Sequence, residues 1–129
     1  MERYLLDTHA FLWWVNDSSE LTAAARLAIA DARNECFLSL ASCWEMAIKS
    51  NVGKLRLAKP LERFVAEHLA ANGFTLLNIE LRHTALVEKL PSHHRDPFDR
   101  LLIAQAMTEQ LTIVSADDCF ADYGVKLLW

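Results

Sequence analysis

Four acidic residues stand where this chain changes character: Asp7, Glu45, Asp99 and Asp117. Asp7 ends the apolar run Met1 to Leu6, and Asp117 follows the β-rich run Leu111 to Ser115. Asp99 lies in Arg95-Asp96-Pro97-Phe98-Asp99-Arg100-Leu101-Leu102-Ile103-Ala104-Gln105-Ala106. There Asp96 suits a helix N-cap and Pro97 the first helical position. Leu102, Ile103 and Ala106 follow Asp99 at helical spacing, so this carboxylate heads an apolar stripe. A carboxylate that faces the core needs a cation, a metal or a set of donors. Glu45 borders an apolar face in the same way, between Ala41 and Ile48. Each acid also has a purely structural reading. Asp7 and Asp96 suit helix caps, Ser42-x-x-Glu45 matches a capping box, and Glu45–Lys49 is an i,i+4 pair worth about 0.2–0.5 kcal/mol. Together they are harder to explain without a cation, because gathered carboxylates raise one another's pKa. An oxygen-only set suits Mg²⁺, with Mn²⁺ as a substitute. The chemistry it implies is metal-assisted attack of water on a phosphodiester.

The elements that must position these acids alternate. Met1 to Leu6 reads as a buried strand, Ala10 to Val15 as a short helix, and Leu21 to Arg33 as an Ala-rich helix. Cys36 to Leu40 is a second strand and Ala41 to Asn51 a helix stopped by Gly53. Pro60 starts a helix over Leu61 to Ala71, and Asn72-Gly73 ends it. Phe74 to Ile79 is a third strand and Leu81 to Leu90 a further helix. The helix capped at Asp96 runs to about Gln110, before the strand Leu111 to Ser115. A short turn follows, and Val125 to Trp129 forms a final edge strand. This is an α/β fold, a Rossmann-like three-layer α/β/α arrangement around a mostly parallel sheet of four to five short strands, in one domain over residues 1–129. Right-handed crossovers put the carboxyl ends of the strands on one edge, where such sheets bind ligands. Asp7 and Asp117 stand at that edge. Glu45 and Asp99 are expected in the first turns of helices that reach it.

The composition narrows the function. The chain is 53% hydrophobic with a net charge of −4, which argues against a protein that coats nucleic acid but not against a nuclease with an acidic centre. Neither a membrane-spanning run nor a signal peptide is expected. Cys36, Cys43 and Cys119 lack paired metal spacing and read as reduced, structural thiols of a cytoplasmic protein. Lys49, Lys54, Arg56 and Lys59 cluster around Gly53, either as a solvated loop or as a phosphate-holding edge near Glu45. Thr8, Lys49, Lys54, Arg95, Arg100 and Ser115 flank the acids and are candidates for substrate contact. His9 reads as a packed or capping side chain. His93 and His94 are disfavoured as ligands, because the rest of the set is oxygen-rich. No Gly-rich P-loop and no Ser or Cys nucleophile motif is present. A phosphatase of the haloacid-dehalogenase type wants a second Asp two residues after Asp7, where His9 stands.

The chain resembles the PIN-domain ribonucleases of the VapC type, the toxin half of bacterial type II toxin–antitoxin pairs. The resemblance rests on Leu5-Leu6-Asp7-Thr8-His9, Ser42-Cys43-Trp44-Glu45-Met46-Ala47-Ile48-Lys49, Gly53-Lys54-Leu55, His94 to Ala106 and Val114-Ser115-Ala116-Asp117, in this order along essentially the whole chain. It implies a PIN-like fold and a Mg²⁺-dependent endoribonuclease with Asp7, Glu45, Asp99 and Asp117 as its acidic quartet. Asp96 and Asp99 both fall near the third acid's place. Their facing favours Asp99, with Asp96 as the cap and an outer acid. The implied partners are an RNA substrate and a cognate antitoxin that blocks the site, with operator DNA bound only through that antitoxin. A homodimer is also implied, and a larger toxin–antitoxin assembly can be built on it. Trp13, Trp14 and Trp129 are candidates for an apolar surface serving dimer or antitoxin. The reading of a different class is a catalytically silent PIN-like module that acts by binding protein, which an incomplete acidic set would favour.

Overall fold

The computed structural model describes residues 1–129. Five parallel strands form one sheet in the order β3-β2-β1-β4-β5: β1 (Arg3–Leu6), β2 (Glu35–Ser39), β3 (Thr75–Leu77), β4 (Thr112–Val114) and β5 (Leu127–Leu128). The helices are α1 (Thr8–Val15), α2 (Ala23–Ala30), α3 (Leu40–Asn51), α4 (Leu61–Asn72), α5 (Leu81–Lys89) and α6 (Pro97–Glu109), and a 3₁₀ helix spans Asp118–Tyr123. Every strand thus leads into helical structure before the next, as a parallel sheet requires.

Two cores result, one on each face. Leu5 on β1 is flanked by Phe37 and Ile113, and these three pack with Leu102, Ile103 and Ala106 of α6. Leu6 is flanked by Leu38 and Val114, and these pack with Ala10 and Phe11 of α1, Ala25 and Ile29 of α2, Met46 of α3 and Phe64 of α4. Adjacent strand residues point to opposite faces, so a strand apolar at every position is buried on both sides. That is the three-layer arrangement expected from the sequence.

The element ends shift for local reasons. Asp7 itself caps α1, so the helix begins at Thr8, two residues before the expected start. Thr22 caps α2 by accepting from the Ala25 amide, and the helix stops at Ala30 because Asp31 turns to bind Arg33. Ser39 caps α3 by accepting from the Ala41 amide. Ser42-x-x-Glu45 is therefore not a capping box: Ser42 is a buried hydroxyl without a hydrogen-bond partner, and Glu45 lies in the second turn. Gln110 closes α6 in the left-handed region at φ 57°, and β5 is an edge strand as expected. No helix is long and apolar enough to cross a membrane.

Trp13, Trp14 and Trp129 are half-buried and pack on the α1 core, with Trp13 against Trp129 at 5.6 Å between ring centroids. An exposed apolar row runs instead along α3 to its C-cap, where Leu40, Trp44, Ile48 and Val52 repeat every four residues.

Candidate metal centre

The carboxyl edge of the sheet assembles the acids through a small set of hydroxyls. Asp7 follows β1 and is buried. Its Oδ1 accepts from the Ala10 amide at 2.8 Å, and its Oδ2 from the Ser115 hydroxyl. The same Ser115 Oγ accepts from the Asp117 amide at 3.0 Å, so one buried hydroxyl ties together the two acids that follow β1 and β4. Glu45 is also buried. Thr8 Oγ1 donates to its Oε1 at 2.6 Å, and the Lys49 ammonium stands 2.7 Å from Oε2. Thr8 and Ser115, candidates for substrate contact by sequence, are enclosed side chains that hold carboxylates.

Asp96 is the cap of α6. Its Oδ1 accepts from the Phe98 amide at 2.8 Å and the Asp99 amide at 3.3 Å. Asp99 projects from the first turn, with Oδ2 2.7 Å from His94 Nε2. Burial pushes its carboxyl up to about 6, and the charges of Asp96 and Asp7 add to that while His94 opposes it. Burial likewise raises Asp7, with Glu45 adding, against the hydrogen bonds from Ser115 and Ala10. The charge of Glu45 is thus felt at Asp7, and that of Asp7 at Asp99. Asp117 is exposed. Its carboxyl is held below the ordinary range, first by the Cys119 side chain, then by the Cys119 amide 3.0 Å from Oδ1 and by His94.

His94 is the residue that sequence reasoning underweighted. The oxygen-rich set disfavours it as a ligand by sequence, yet its ring reaches Asp99 and its donor atom lies within 4.8 Å of donor atoms on Asp117 and Cys119. The signal available was its place two residues before the Asp96 cap, which obliges the loop to enter at the site.

Arg100 does not face the opening. Its Nη1 donates to the carbonyls of Pro91 and His94 and to Tyr123 Oη, and its Nη2 to the carbonyls of Val87 and Leu90, all within 3.3 Å. It clasps the loop that delivers His94, and Tyr123 Oη in turn accepts from the His94 amide at 2.8 Å. Arg100→Ala is expected to lower stability by about 2–4 kcal/mol in urea unfolding, because several carbonyls lose a charged donor at once. Lysine should not restore it, since a single ammonium lacks the planar fork. Wild-type stability in Arg100→Lys would show that the clasp needs only charge. Lys54 and Arg95 are exposed and make no ion pair, while Lys49 is shared with Glu45. The Trp44 and Phe98 rings meet at 5.2 Å, one residue before Glu45 and Asp99 respectively.

The fold and this edge have relatives. The PIN domain family pattern matches residues 4–126, and the chain belongs to that family. Ribonuclease VapC16 of Mycobacterium tuberculosis is 37% identical over 60 residues, 46% of this chain and 43% of that protein, so the aligned stretch spans under half of the relative. In structure, the chain is similar to VapBC2 from Rickettsia felis, solved bound to a promoter DNA fragment, with TM-score 0.70, 15% identity and coverage of 98% and 97% of the two chains. It is similar also to DNA-bound VapBC from Salmonella typhimurium, with TM-score 0.68, 14% identity and coverage of 99% and 98%. At these identities the structures establish a shared fold.

Proposed function

We propose that this protein is a Mg²⁺-dependent endoribonuclease and the toxin half of a type II toxin–antitoxin module. The observation that carries the reading is Asp7 and Asp99 at one sheet edge, both with carboxyls raised first by burial, Asp7 further by the charge of Glu45 and Asp99 further by the charges of Asp96 and Asp7. A protein gathers such groups at a cost that a cation offsets. The donor set fits a hard ion: Asp7, Asp99, Glu45 and Asp117 offer oxygens, and Mg²⁺ binds through a few carboxylates while keeping water and substrate phosphate oxygens. When bound, the ion supplies Lewis acidity toward the phosphodiester and toward the attacking water.

The remaining steps belong to the chain. Ser115 and Thr8 fix the rotamers of Asp7 and Glu45 through the hydroxyl contacts given above. A carboxylate of this set not taken up as a ligand would orient the water and receive its proton. Lys49 stands beside that edge, and Lys54 and Arg95 supply exposed positive charge for the RNA backbone. Mn²⁺ substitutes for Mg²⁺. The apolar row Leu40, Trp44, Ile48 and Val52 supports a protein partner next to the site, for which an antitoxin helix is the fitting occupant. Operator DNA is contacted only through that antitoxin, the toxin acts as a homodimer in the cytoplasm, and larger assemblies form through the antitoxin.

The test is cleavage of defined RNAs by purified protein free of antitoxin, with Mg²⁺, with Mn²⁺ and with EDTA. Metal-dependent cutting abolished by EDTA is expected. A folded protein that neither cuts any RNA nor binds Mn²⁺ would instead be a silent module that works through its protein partner.

A further inference from the structure

Cys119 stands apart from the other cysteines. Cys36 and Cys43 are buried in the core, whereas Cys119 is half-buried at the rim of the acidic edge. Donor atoms of Cys119, Asp117 and His94 all lie within 4.8 Å of one another. The three bring a sulfur, a carboxylate oxygen and an imidazole nitrogen together from two segments far apart in sequence. Mg²⁺ has little use for the first and last of these, since it takes oxygen. Zinc-class ions prefer them, bind them tetrahedrally at about 2.0–2.3 Å, and so place ligand atoms about 3.3–3.8 Å apart. Contraction of about an ångström closes the cluster on one ion.

The surroundings already hold these groups. The Cys119 amide donates to Asp117 Oδ1, which keeps the turn of residues 117–119 tight. The His94 backbone is pinned to Tyr123 Oη, and its ring to Asp99. A ligating histidine commonly carries a carboxylate on its second nitrogen, which orients the ring and raises its basicity. Asp99 and Asp122 add negative potential at Cys119, which draws a cation in.

We propose that His94, Asp117 and Cys119 form a site for one thiophilic divalent cation of the zinc class, and that its occupation withdraws Asp117 from the acidic cluster and stops hydrolysis there. The second half rests on the nuclease reading. The first half does not. Binding displaces the thiol proton to solvent and involves no change of oxidation state.

The probes are CoCl₂ and ZnCl₂ added to the purified chain in excess MgCl₂. Co²⁺ should produce a near-ultraviolet thiolate-to-cobalt absorption that saturates at one equivalent and is bleached by Zn²⁺. Cys119→Ser and His94→Ala should each lose that signature, and Cys119→Ser should bind Zn²⁺ at least about tenfold more weakly. A wild-type protein with no such absorption, or absorption that persists in Cys119→Ser, overturns the site. One equivalent of Zn²⁺ should lower Mg²⁺-dependent RNA cleavage at least tenfold in the wild type and far less in Cys119→Ser. Full-rate cleavage by the zinc-loaded wild type overturns the inhibitory half. A cobalt signature in a protein that cuts no RNA supports the site and counts against the nuclease reading alone.

Discussion

Asp99→Asn is expected to lower Mg²⁺-dependent RNA cleavage about 10³-fold, equivalent to about 4 kcal/mol of transition-state stabilisation, while the fold stays intact. Asp7→Asn should do the same. At position 99 the substitution changes charge and little else, whereas at position 7 the amide nitrogen also replaces the oxygen that accepts from the Ser115 hydroxyl. At position 7 an asparagine Oδ1 still caps the Ala10 amide, and asparagine is as good a cap as aspartate. At position 99 the amide can still hydrogen-bond to His94. What is lost is a hard anionic oxygen for the ion. The control is Asp96→Asn. Its carboxylate is engaged with the amides of Phe98 and Asp99, and an asparagine cap serves equally, so cleavage should stay within a few-fold of wild type. Circular dichroism and thermal unfolding would confirm that all three variants fold. The opposite pattern, with Asp96→Asn dead and Asp99→Asn active, would move the third acid of the cluster to position 96 and make Asp99 a spectator.

That the choice between Asp96 and Asp99 arose from sequence shows where such reading stops. The Asp-Pro signature announces a helix start, and Asp96 is the cap and Pro97 the first residue of α6. The apolar runs Leu5-Leu6, Phe37-Leu38 and Ile113-Val114 announce strands buried on both faces, and these are the three central strands. Both are local patterns of period or position, so the chain displays them directly. The carboxyl edge was legible through topology, because a parallel sheet must bring its strand ends together. What was illegible depends on side chains meeting across long separations. Ser115 donating to Asp7 spans 108 residues, and Thr8 donating to Glu45 spans 37. Nothing local marks either hydroxyl as a partner. Arg100 was misplaced for the converse reason: beside two acids it looked like a phosphate contact, whereas its helix face turns it into the loop before α6. The Ser42-x-x-Glu45 pattern failed because Ser39, three residues earlier, took the cap.

The raised carboxyls also bear on stability. Without divalent metal, the protein is expected to become less stable as pH rises from 5 to 7, against the usual acid-denaturation trend. An Asp99 carboxyl at about 6 in the folded state, against 3.8 ordinarily, keeps a proton that the unfolded chain has already released. Between those two values the folded state binds more protons, so stability falls with each increment of pH and levels off above about 6. For this group the change between pH 5 and pH 7 comes to about 1 kcal/mol. The buried Asp7, raised for the same reason, acts in the same direction. The acids held low do not interfere in this window. Asp31 at about 2, and Glu67 and Asp117 below their ordinary values, contribute stability that is lost only as pH falls through the acid range beneath it. Saturating Mg²⁺ should remove the slope or reverse it, because the ion binds the ionised carboxylates of the folded chain and stabilises that state by mass action. Asp99→Asn should flatten the metal-free slope by about the same 1 kcal/mol, since an amide does not titrate. Urea unfolding at pH 5 and pH 7, with EDTA and with Mg²⁺, separates these cases. Identical slopes in wild type and Asp99→Asn would mean that Asp99 is already ionised in the metal-free fold, and the gathering of charge that argues for a cation at this edge would lose its energetic basis.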